Sequence, residues 1–187
     1  MIPVILIPGL GNSGPQHWQR LWQAELGPVA TAVEQSDWDR PDFADWLARL
    51  DTAIAIAKTP PILVAHSLSC ALVAHWATRH TRDIAGALLV APADVDSDMH
   101  TPPETRAFRP MPRQPLPFDG IVIASSDDPY IKRDRAAAFA QSWGSRFVDI
   151  GAAGHINPAA GFGAWPLGRL LLDELRAAAR AKSAATA

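Results

Sequence analysis

Residues 60–76 read PPILVAHSLSCALVAHW, an apolar run of β type that passes without a gap into an apolar run of helical type. Ser67 stands at the joint. A sharp strand-to-helix turn at this point lifts the serine hydroxyl out at the C-terminal edge of a sheet, where open α/β folds bind their ligands. Ser67 is therefore a candidate nucleophile, and a buried helix-capping serine is the alternative. Such turns usually read G-x-S-x-G, because the backbone is crowded two residues either side of the serine. Here both glycines are replaced by small residues, Ala65 and Ser69.

The rest of the chain repeats the same alternation of strand and helix. Residues 4–7 form a continuous apolar run, as parallel strands do when both faces are covered. The loop PGLGNSG (residues 8–14) follows, and Pro15 is expected to open a helix capped by Ser13 or Gly14, with Trp18, Leu21, Trp22 and Leu26 on one face. That loop could cradle a phosphate, but it lacks both G-x-G-x-x-G and a Walker lysine. Further strands are expected at 31–35, 85–91, 121–124 and 147–150. Helices are expected through Phe43, Trp46, Leu47, Leu50 and Ile54, through Ala136, Phe139 and Trp143, and through Leu167, Leu170, Leu171 and Leu175.

Residues 93–118, rich in proline, read as a surface excursion. Within it, DVDSD (residues 94–98) lacks the glycine and the terminal acid of a calcium loop.

This pattern implies a three-layer α/β/α fold around a six-stranded, mostly parallel sheet. All 187 residues are expected to form a single domain, with the Ala-rich tail beyond about 180 fraying. A net charge of −2 with both signs scattered implies no basic surface for nucleic acid or an anionic membrane. The opening apolar stretch has no basic leader and is too short for a signal peptide or a membrane span. A cytoplasmic location is the expectation. The single cysteine, Cys70, excludes an internal disulfide and reads as a core residue.

In a parallel sheet all C-terminal strand ends lie on one edge, which gathers Ser67, the pair Asp127 and Asp128, and His155. A serine hydroxyl becomes nucleophilic when a neutral imidazole takes its proton, and the imidazole needs a carboxylate to fix its tautomer. The order Ser, Asp, His is the one α/β-hydrolases use. The N–H of Leu68, next after the nucleophile, would be one oxyanion donor. His66 reads as a support for the turn, while His17, His75 and His80 read as helix residues that bind nothing. No histidine pair has metal-site spacing, so neither metal nor cofactor is expected.

Several motifs together carry a family resemblance: the Pro8-Gly9 loop with Asn12 to Gly14, His17-Trp18, the turn at Ser67, SDDP at 126–129, GHIN at 154–157 and GAWP at 163–166. The chain resembles the compact serine hydrolases of the α/β-hydrolase superfamily that include the retinoblastoma-binding protein nine family and its bacterial relatives. The resemblance implies an α/β-hydrolase fold with a reduced lid, and hydrolysis of a small ester, thioester or activated amide through an acyl-serine. It assigns the acid to Asp128 and the second oxyanion donor to Leu10, with Gly11 as the near alternative. Asn12 and Trp18 become candidate walls of the substrate pocket. The implied partner is a small-molecule acyl substrate. The rival is a protein-interaction module that keeps the fold without turnover.

Overall fold

The computed structural model describes residues 1–185. Six strands form one sheet: β1 (Val4–Ile7), β2 (Ala30–Ala32), β3 (Ile62–His66), β4 (Gly86–Val90), β5 (Gly120–Ala124) and β6 (Arg146–Asp149). Their order is β2-β1-β3-β4-β5-β6, and every neighbouring pair is parallel. The strand order reverses between β1 and β3. A crevice therefore opens there at the C-terminal edge, between the loop after β1 and the turn after β3.

Among the described residues five α-helices cover the two faces: α1 (Trp18–Leu26), α2 (Phe43–Ala55), α3 (Leu68–Ala77), α4 (Arg133–Ser142) and α5 (Pro166–Ala185). Alternation along the strands assigns them. Ile5, Ile7, Leu63, Ala65, Leu89 and Val122 pack with α2, α3 and α4, whereas Val4, Leu6, Ile62, Val64, Leu88 and Ile123 pack with α1 and α5. Helix α3 buries nine of its ten residues, so it cannot present a polar face anywhere. Cys70 is fully buried within it.

Two expectations change in detail, one in α1 and one in α5. Helix α1 begins at Trp18 and not at Pro15, because the His17 Nδ1 accepts the Gln19 N–H and caps it. Helix α5 buries Leu171, Leu172 and Leu175 and leaves Leu167 and Leu170 exposed. It continues past residue 180, where the Ala-rich sequence favours helix: Ala179 is buried, and Lys182 pairs with Asp119 at 2.6 Å. The helix runs to Ala185, and residues 186–187 lie outside the described part.

The excursion after β4 is not purely superficial. Phe108 and Met111 are buried, and Phe108 meets Phe43 and Trp46 edge-on over α2. Its acidic run is tied down by arginine: Arg135 binds Asp94 at 3.0 Å and Asp96 at 2.8 Å. Among the described residues no group of three or more His, Cys, Asp or Glu could hold a metal, and no helix is long and apolar enough to cross a membrane.

Candidate active site

Strand β3 ends at His66, and the chain turns through Ser67 with φ 59° and ψ −123° before α3 starts. A non-glycine residue there is strained by about 1–3 kcal/mol and persists only where its surroundings fix it. The surroundings are visible. The Ser67 N–H donates to the Val90 carbonyl at 3.0 Å, and the Ser69 hydroxyl donates to the Pro8 carbonyl at 2.6 Å. Ala65 pairs with Ile7 inside the sheet. The steric demand usually met by glycines beside the serine falls here on Gly9, across the crevice, where a Cβ would sit 2.9 Å from the His66 oxygen and the Ser67 Cβ.

The Ser67 hydroxyl makes no helix-capping bond. It lies instead 2.8 Å from His155 Nε2, while His155 Nδ1 lies 3.0 and 2.9 Å from the two oxygens of Asp128. The Asp128 carboxylate is completely buried and also accepts the Tyr130 N–H at 2.9 Å. An ionised carboxylate can only accept, so Nδ1 carries the imidazole proton and Nε2 presents its lone pair to the serine.

The neighbouring aspartate does something else. Asp127 accepts the N–H groups of Ala153 and Gly154, each at 2.8 Å, and a hydroxyl bond from Ser125 at 2.6 Å. The Ser125 bond, followed by the Gly154 N–H, holds its carboxyl below the ordinary range. Two further donors catch the same loop from the other side: His66 Nε2 binds the His155 carbonyl at 2.9 Å and Trp18 Nε1 binds the Ile156 carbonyl at 2.8 Å. Side chains from three places, the loop after β5, the end of β3 and α1, thus hold a loop whose own backbone is irregular, with Gly154 and Ile156 both at positive φ. Trp18 is consequently not a pocket wall. It is fully buried against Trp22 and Trp165.

His17 and His66 meet edge-on beside this loop, with ring centroids 4.9 Å apart, and the His66 ring lies 4.8 Å from that of His155. Burial first, and then repulsion from His155 and Arg20, lowers the His17 pKa from 6.5 to about 4. Burial also holds His66 far below the ordinary imidazole range. His75 is lowered too, again by burial, and binds the Phe108 carbonyl.

These buried histidines set an acid limit on stability. The unfolded chain takes up a proton near 6.5 and folded His17 only near 4, so the unfolded state binds more protons between those values. Stability is present in full above pH 6.5 and falls as pH drops through that window, by roughly 3 kcal/mol for His17 alone. We expect the urea midpoint to fall from pH 7 to pH 4.5, and to fall less in His17→Asn, which retains a capping oxygen. Equal falls in the two proteins would remove His17 from the account.

The loop after β1 supplies the other half of the site. Buried Gln19 holds it: its amide donates to the carbonyls of Ile7 and Val64 at 3.2 and 3.1 Å, and its oxygen accepts the Ser13 hydroxyl at 2.6 Å. The Gly11 N–H donates to the Trp38 carbonyl at 2.9 Å, which takes it out of contention as an oxyanion donor. Leu10 and Leu68 both line the crevice above Ser67, a cleft of about 350 Å³. Asn12 lines it as well, and so do His17, Thr101, Thr105, Tyr130 and Asn157. The Tyr130 ring meets His155 edge-on at 4.5 Å.

A parallel sheet with helices on both faces and a serine, a histidine and a buried aspartate at its C-terminal edge defines the α/β-hydrolase class. Residues 4–174 match the serine hydrolase family, and the chain belongs to that family. It is similar to a YdeN-like hydrolase of Pectobacterium atrosepticum, with 32% identity, a TM-score of 0.81, and coverage of 96% of this chain and 90% of that one. The ydeN gene product of Bacillus subtilis matches at 20% identity and a TM-score of 0.77, over 95% of this chain and 100% of that one. A monoacylglycerol lipase of Paleococcus ferrophilus shares the fold, with 12% identity, a TM-score of 0.70, and coverage of 95% and 96%. No curated protein sequence matches.

The sequence reading missed the work of His66, His17, Gln19 and Asp127. One signal was available for His66. It stands two residues after Val64, so alternation puts its side chain on the α1 side of the sheet, where the His155 loop arrives.

Proposed function

We propose that the protein hydrolyses small esters, or acyl compounds of similar reactivity such as thioesters and activated amides, through an acyl-Ser67 intermediate. The observation that carries this reading is the continuous chain from the Ser67 hydroxyl through both ring nitrogens of His155 to buried Asp128. Ser67 Oγ attacks the acyl carbon as its proton passes to His155 Nε2, and the N–H groups of Leu68 and Leu10 receive the developing oxyanion. The bond to the leaving group then breaks, and Nε2 returns the proton to the departing oxygen. Water repeats the sequence in reverse, with His155 as base, and frees the acid and the serine.

The direct test is a fluorophosphonate probe, which labels an activated serine. Rapid labelling that maps to Ser67 is expected, and an unlabelled Ser67 in folded protein would contradict the reading.

Acyl size follows from the cleft. At about 350 Å³ it stands at the small end of ligand pockets, and the excursion over it contributes only Ala93, Thr101, Pro102 and Thr105 to the lining. We expect kcat/KM to fall along a p-nitrophenyl ester series from acetate and butyrate to octanoate and beyond. A steady rise to the long chains would mean a deeper apolar channel than this cleft.

A further inference from the structure

The cleft is lined by two chemically different sets of side chains. One set is Asn12, two residues after Leu10, and Asn157, two residues after His155. The Asn12 Oδ1 accepts the Ser13 N–H at 2.7 Å and Arg20 Nη2 at 3.3 Å, and the Asn157 Oδ1 accepts the Ala160 N–H at 3.2 Å. Only the carbonyl end of an amide can accept an N–H, so the orientation of both side chains is fixed. Each is left with an Nδ2 amino group, and neither amino group has a protein partner among the described residues.

In the other set, Thr101 and Thr105, the hydroxyl protons are already used. Thr101 donates to the Asp94 and Ser97 carbonyls at 3.1 and 2.8 Å, and Thr105 donates to the Pro102 carbonyl at 2.8 Å. Together with Ala93 and Pro102, these residues offer mainly carbon to the cleft. Among the described residues, no lysine, arginine, aspartate or glutamate lines the cleft.

We propose that the Asn12 and Asn157 amino groups form a subsite for a neutral, oxygen-bearing leaving group, so that the preferred substrates are acyl esters of hydroxylated or ether-bearing alcohols. The inference rests on the acyl-serine reading above. The direction of the substrate follows from the chemistry. The leaving oxygen must reach His155 Nε2 to take its proton, which turns the alcohol part toward the His155 loop and Asn157. Two unpartnered donors and no fixed charge suit ether, hydroxyl or carbonyl oxygens. A carboxylate or phosphate would lose its water there without gaining a cation.

The test uses three butyrate esters. 2-Methoxyethyl butyrate differs from n-butyl butyrate only by an ether oxygen in place of a methylene, and carboxymethyl butyrate carries an anionic end. A neutral hydrogen bond corresponds to about a three- to tenfold preference, so kcat/KM for the methoxyethyl ester should exceed that for the butyl ester by that factor, with the carboxymethyl ester slowest. In Asn157→Ser, which retains a helix-capping oxygen but no amino group, the ratio of the first two should fall toward one. Asn12→Gly, which suits the φ of 66° at that position, should lower it as well.

A wild-type ratio of one, a preference for the carboxymethyl ester, or a ratio unmoved by both substitutions would overturn the subsite and leave the hydrolase reading standing. Protein that labels at Ser67 yet hydrolyses none of the three esters would also overturn the subsite. Absence of both labelling and hydrolysis would overturn the acyl-serine reading, and the subsite with it.

Discussion

Ser67→Ala and His155→Ala are each expected to lower kcat/KM on a short acyl ester by about four to six orders of magnitude, with thermal unfolding little changed. The size of the loss follows from the geometry. Without the hydroxyl there is no acyl-enzyme, and without the imidazole the proton of a hydroxyl only 2.8 Å away has nowhere to go. The double variant should lose little more than either single one, because the groups act as a unit. Pure Ser67→Ala protein with near-normal turnover of p-nitrophenyl acetate would sink the assignment outright.

The second large effect separates two adjacent carboxylates. Asp128→Asn should cost about 10⁴-fold in kcat: an amide opposite Nδ1 can donate to it, which moves the imidazole proton to Nε2 and leaves no lone pair facing Ser67. Asp127→Asn keeps one acceptor for the loop and leaves the tautomer alone. Its effect should be about tenfold, through a His155 loop held less firmly by the N–H groups of Ala153 and Gly154. Measuring kcat and KM for both variants checks the ranking, and a reversed order would make Asp127 the acid.

The alternation of apolar runs carried the architecture, since strands covered on both faces have few other ways to be satisfied. Ser67 and His155 were legible for a related reason: polar residues just past buried strands end up on one edge whatever the helices do. The choice between Asp127 and Asp128 was not legible from the residues, because either could reach the histidine until the loop geometry is known, and only the resemblance favoured Asp128. Other features lay beyond one-dimensional patterns. That Trp18 ties down Ile156, or that Gly11 spends its N–H on Trp38, depends on which distant carbonyl arrives beside it. The start of α1 was misplaced because a histidine cap is a weak signal next to a proline. Leu172 was overlooked in α5 in favour of Leu167 and Leu170, because several leucines in succession fit more than one helical stripe.

The all-parallel sheet also bears on how the molecule forms. Among the described residues no two neighbouring strands are joined by a hairpin; each pairing waits for a long crossover connection to be traversed, and contacts of that kind are made slowly. The candidate site draws on residues from Leu10 near one end of the chain to Asn157 near the other, gathered from β1, β3, β5 and β6. Helix α1 adds Trp18, which clasps the Ile156 carbonyl across 138 positions of sequence. A refolding chain that has built only part of the sheet therefore holds no fraction of a site. Catalysis should reappear with the last long-range contact and not with the first appearance of helix, so that enzymatic turnover becomes a clock for the final step of assembly.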